Sequence, residues 1–101
     1  MDSAVTLLRG IKAALRALAV FPLEEVRTRA WRSGNFRGLR HEFALRFDGP
    51  AASSAADGFI AKLEPGKLEA PGHIVADVKL LSDDRRPGRA RLKIEVLTVE
   101  A

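Results

Sequence analysis

An α+β fold is predicted for this chain: a two-layer sandwich in the order αββαββ, with two helices on one face of a four-stranded, mainly antiparallel sheet. Three observations predict it. Two stretches place apolar residues at helical spacing, and four stretches alternate apolar with polar residues. These six elements read as one helix-strand-strand unit written twice, over 3–48 and 50–100, about 49 residues apart. The offset sets Phe43, Leu45 and Phe47 over Leu92, Ile94 and Val96, Arg40 over Arg89, and Ser33 over Ser82.

The first helix begins at Asp2 or Ser3, either of which caps exposed backbone N–H groups, and runs to about Ala19. Val5, Leu8, Ile11, Leu15 and Leu18 form its apolar face, opposite Arg9, Lys12 and Arg16. That pattern packs on a core and also has the amphipathic form of a helix lying on a membrane or in a partner groove. The three cations interrupt the apolar stretch a signal peptide needs, and no later segment approaches the roughly 20 apolar residues of a membrane span. Pro22 ends the helix, because the residue before proline is pushed out of helical geometry.

The first strand covers 24–32, with Val26, Thr28 and Ala30 on one face and Arg27, Arg29 and Trp31 on the other. Ser33, Gly34, Asn35 and Gly38 mark a turn. The second strand, 39–48, points Leu39, His41, Phe43, Leu45 and Phe47 inward and Arg40, Glu42, Ala44 and Arg46 outward. Gly49 and Pro50 break it. Ala52, Ala55, Ala56, Phe59, Ile60 and Leu63 then form a helix that Gly58 weakens by about 1 kcal/mol, and Pro65 and Gly66 close it.

The second hairpin joins 73–82 to 89–99 through a turn rich in Asp83, Asp84, Pro87 and Gly88. Leu92, Ile94 and Val96 face inward, and Arg91, Lys93 and Glu95 outward. Applied to the third strand, the 49-residue offset sets Ile74, Ala76, Val78 and Leu80 against the polar face of the first. A slip of one residue inverts every side chain, so the offset supports the architecture and not a common origin.

With 101 residues, 47% of them apolar and 30% charged, the chain is suited to one core and is too apolar for disorder. Lack of cysteine removes disulfides and thiolate sites and accords with a reducing compartment, hence the cytoplasm. Arginine outnumbers lysine twelve to five and alanine occurs sixteen times, as GC-rich bacterial coding produces without selection on function. Arginine content alone is therefore no functional signal. Its placement is one, because residues 1–48 carry nine cations and five anions whereas 49–101 carry eight of each.

Two helices on one face leave the other face of the sheet open. That face is expected to carry Arg27, Arg29, Arg40, Arg46, Lys79, Arg91 and Lys93 among Glu42, Asp77 and Glu95. It also carries Trp31, Val75, Leu81, Leu97 and Val99, more apolar surface than a solvated sheet displays. Two readings follow. Open faces or edge strands of two copies pack together, with Trp31, Leu81, Leu97 and Val99 at the centre and arginines at the rim. Alternatively Arg27, Arg29, Arg40, Arg46, Arg91 and Lys93 meet an acidic macromolecule such as nucleic acid, although only Trp31 and Phe36 offer bases a platform. Covering of the apolar residues by the connector 65–72, and cross-strand ion pairs among the charges, are the structural counterparts of these readings.

Catalysis finds less support. His41 lies among inward-facing Leu39, Phe43 and Leu45, the place of a core histidine, and His73 shares a strand face with Asp77 four residues on. A ligand site or enzyme centre would form near one of these two histidines. No nucleophilic cysteine, glycine-rich phosphate loop or metal-ligand spacing is present, so no catalytic residue, metal or cofactor is assigned.

Overall fold

The structure is a computed structural model that describes residues 7, 9–14, 23–68 and 72–100. Residues 7 and 9–14 are helical (α1), followed by β1 (Leu23–Ser33), β2 (Phe36–Asp48), α2 (Ala52–Lys62), β3 (His73–Arg86) and β4 (Arg89–Glu100). The strands form one antiparallel sheet in the order β1-β2-β4-β3, so the two hairpins lie side by side through their second strands. The remainder of the helix expected over 3–19, with Pro22, lies outside the described residues.

Both helices cover the same face. Leu7 and Ile11 of α1, and Ala52, Ala56 and Phe59 of α2, join one buried cluster with Phe43, Leu45 and Phe47 of β2 and Ala90, Leu92, Ile94 and Val96 of β4. The inward-facing residues expected for β2 and β4 are thus the core residues, because strict alternation on a central strand commits every second side chain to one layer. Phe47 and Phe59 meet at 6.0 Å between ring centres, tying β2 to α2. Gly58 lies exposed on α2, away from the side that Ala52, Ala56 and Phe59 bury.

Four boundaries and faces differ from expectation. The first turn is only Gly34 and Asn35, with Gly34 at φ +57°, and Gly38 belongs to β2 rather than to the turn. The second turn is only Pro87 and Gly88, with Gly88 at φ +73°, the arrangement a proline followed by a left-handed glycine prefers. Asp83 and Asp84 are therefore strand residues, not turn formers.

The third difference lies in β3, an edge strand with irregularities between Val75 and Asp77 and between Leu80 and Ser82. Each leaves one extra residue, Ala76 and then Leu81, and each reverses the alternation. Val75 is consequently opposite Thr98 and packs on the core, instead of lying on the open face, while Ile74 is opposite Val99 on that open face. The fourth follows from the same bulge: His73 and Asp77 lie on opposite faces of β3, not on a shared one. Bulges of this kind also blunt an exposed edge against pairing with another strand.

Candidate functional site

Among the described residues, the buried polar side chains of the helix-covered face are His41 and Thr98, both fully inaccessible. Register sets Thr28 of β1, His41 of β2 and Val96 of β4 in one row, with Thr98 one row further. His41 Nδ1 is 3.0 Å from Thr28 Oγ1, and Nε2 is 3.4 Å from Thr98 Oγ1, which itself donates to the Leu39 carbonyl at 3.3 Å. A hydroxyl has one hydrogen, and Thr98 spends its own on Leu39, so it accepts from His41. The neutral ring with hydrogen on Nε2, accepting from the Thr28 hydroxyl at Nδ1, satisfies all three contacts.

Burial pushes the His41 pKa down to about 4, with nearby His73 adding to the effect. The ring packs over Phe43 at 6.3 Å. A neutral imidazole with both nitrogens occupied and no exposed atom is a core residue; it leaves nothing to a substrate. His73 is half-buried opposite Glu100, and among the described residues no three His, Asp or Glu side chains are placed to hold a metal ion.

Arg85 joins the layers at the opposite end of the sheet. Its Nε donates to Asp83 at 2.5 Å, one terminal nitrogen reaches the carbonyl and hydroxyl of Ser53 at 3.0 and 2.7 Å, and the other reaches Asp57 at 2.8 Å and Asp83 at 3.1 Å. Its hydrogen bonds to Asp83 and then Asp57 raise the guanidinium pKa still further above its ordinary value. This clamp ties the extended end of β3 to the start of α2, which has no side-chain cap of its own. It explains why Asp83 continues the strand: the carboxylate orients Arg85 toward the helix.

The open face is organised in rows that cross all four strands. Arg27, Glu42, Glu95 and Lys79 make one row, cations outside and carboxylates inside. Diagonal contacts link Arg29 to Glu42 at 3.5 Å and Arg40 to Glu95 at 3.6 Å, and Lys79 lies 4.0 Å from Asp77. At the α2 end, Asp48 takes Arg46 at 2.8 Å and Arg89 at 3.5 Å, while Arg86 lies 3.8 Å from Asp84. Arg27, Arg29, Arg40, Arg46, Arg91 and Lys93 all occupy this face, but carboxylates interleave them and divide the positive field.

The row at the other end is apolar. Trp31, Gly38, Val99 and Ile74 stand directly opposite one another across β1, β2, β4 and β3, with Leu97 in the neighbouring row. Gly38 has no side chain, and the Trp31 indole lies across it to donate from Nε1 to the Thr98 carbonyl at 3.2 Å. Ile74 is 59% exposed, and Phe36, beside the row at the hairpin end, is 64% exposed. Trp31, Leu97 and Val99 therefore come together, but Leu81 does not. It is the second bulge residue of β3, near Lys93, six residues along β4 from Val99 and on the order of 20 Å away.

Sequence pattern does not place Ile74 on this face, because a bulge decides which face it takes, and it reads Phe36 as a loop residue although Phe36 opens β2. Leu68 of the connector is buried in the helix-side cluster, so the described part of that segment packs on the other face from this row. Among the described residues no helix is long and apolar enough to cross a membrane. The chain matches no protein-family model, no curated protein and no solved structure.

Proposed function

We propose that this chain is a small, non-enzymatic interaction domain that associates with a second copy of itself through the apolar end of its open sheet face. The observation that carries this reading is the row Trp31, Gly38, Val99 and Ile74, extended by Leu97, which is apolar across the full width of the sheet. A band of that kind, half-buried at Trp31, Leu97 and Val99, exposed at Ile74 and rimmed by Arg29 and Arg40, has the composition of an interface centre. Freedom from cysteine suits a reducing compartment, and the cytoplasm is the location this reading assigns. The broad basic-face reading has less support, since Arg29, Arg40 and Arg46 each have a carboxylate neighbour.

Light scattering behind size exclusion tests the proposal at low and at high salt. The expected result is a dimer in both, and a monomer after the double substitution Ile74→Lys and Leu97→Asp with an unchanged far-ultraviolet spectrum. A wild-type monomer at high micromolar concentration would overturn it.

A further inference from the structure

The two edges of the sheet are built differently. β3 is bulged at Ala76 and Leu81, whereas β1 pairs with β2 without a break from Glu25 to Ser33. The two-residue turn at Gly34 and Asn35 closes on Ser33 and Phe36, and such a closing pair exchanges both of its N–H···O=C bonds. Hydrogen bonding then alternates down the strand. Ser33, Trp31, Arg29 and Arg27 bond to β2, while Arg32, Ala30, Thr28 and Val26 aim their N–H and C=O groups away from the sheet. Among the described residues no strand takes these groups, and Thr28, Ala30 and Arg32 are exposed. An unbulged line of such groups is a template for one more strand.

Charge decides what that strand is. From Val26 to Ser33 the edge carries Arg27, Arg29 and Arg32 and no carboxylate. Arg27 is directly opposite Glu42, but Glu42 lies 3.5 Å from Arg29, and neither Arg27 nor Arg32 has an ion pair or hydrogen bond with a described residue. A second copy of the chain fits poorly: the fullest two-fold overlap, centred on Thr28, sets Arg27 of each copy against Arg29 of the other, and like charges directly opposite repel. An acidic strand meets the opposite condition. Its carboxylates oppose Arg27 and Arg29 on the open face, while its alternate side chains lie over the small Thr28 and Ala30 on the helix side. An open groove lined by Ala30, Arg32 and Leu39 gives those side chains room; Glu100, which also lines it, is on β4, across β2 from this edge. We infer that β1 is a docking edge for an extended acidic segment of another protein, which adds to the sheet as a fifth strand.

The inference stands apart from the self-association proposed above, because it uses the edge of β1 and not the apolar row. Nuclear magnetic resonance titration tests it on wild-type protein and on the Ile74→Lys, Leu97→Asp double variant, with an acetylated and amidated peptide of four Thr-Glu repeats as probe. Both proteins should bind the peptide, with amide exchange slowed at Thr28, Ala30 and Arg32. The peptide's threonines are the residues opposite these three, so N-methylating the threonines should abolish binding and N-methylating the glutamates should not. Ala30→Pro removes one outward N–H without breaking a bond to β2, and it should abolish binding while the sheet stays folded. Arg27→Ser should weaken binding about three-fold. Absent binding at low salt overturns the inference, as does equal binding of a Thr-Lys repeat peptide or of the threonine-methylated probe. A dimer that persists in the double variant and is dissociated by Ala30→Pro would also overturn it, in favour of a second copy at β1.

Discussion

At position 38 a hydrogen atom stands where any other residue has a side chain, and this places the chain's one tryptophan. A Cβ built there would collide with the Thr98 carbonyl and approach Trp31 Nε1 to 2.7 Å. Gly38→Ala should therefore displace the indole, break its hydrogen bond to Thr98 and cost about 2 kcal/mol by overpacking. Urea denaturation reads the loss, and a red shift of the emission of the sole tryptophan reads its cause. Three residues along the same strand, His41 makes stability depend on pH. Its pKa is about 4 when folded against 6.5 when exposed, so the unfolded chain binds more protons between these values. Stability is complete above pH 6.5 and falls by about 3 kcal/mol as pH drops to 4. Unfolding measured across that window should flatten in a His41→Gln variant; an unchanged slope in the variant would show that other groups carry it.

At the scale of elements, the two ends of the sheet are secured differently. The α2 end is held by polar contacts, with Arg85 distributing its donors over Asp83, Ser53 and Asp57. These contacts are partly exposed and screened, so Arg85→Ala should lower global stability by only about 1 kcal/mol. Its larger effect is local. Amide exchange in β3 from Asp83 to Arg86 should accelerate while the central strands stay protected, because β3 is an edge strand and its extension has α2 as its neighbour above. Among the described residues the hairpin end has no such clamp, and Trp31 covers Gly38 there. The two bulges in β3 belong to this same scale: they allow one strand to give Val75 and Val78 to the core while showing Ile74, Asp77 and Lys79 on the open face.

At the scale of the whole molecule, charge and apolarity are segregated on the open face. Rows rich in carboxylate and guanidinium occupy its middle and α2 end, where internal pairing lowers their appetite for partners. The apolar row occupies the hairpin end. The self-association proposed above should accordingly respond little to salt, since apolar burial drives it. Light scattering across a salt series checks this: a dimer that dissociates as salt rises would mean that the charged rows, not Leu97 and Ile74, hold it.

Local pattern alone determined the α+β class, the element order, the faces of β2 and β4, and the core places of His41, Phe43, Leu45, Leu92, Ile94 and Val96. It could do so because a central strand lies between two hydrogen-bonded neighbours, which forces a strict period of two, and because one layer of helices makes burial one-sided. Tertiary structure alone decided the rest. Bulges on an edge strand have no period to announce them, so the exchange of Val75 for Ile74 on the open face and the isolation of Leu81 appear only in the register with β4. Gly38 reads as a turn residue until Trp31 is seen to cover it, and Asp83 as a turn former until Arg85 is seen to reach α2. Pairing across strands joins residues distant in sequence, and such contacts are set by the assembled sheet rather than by any neighbour along the chain.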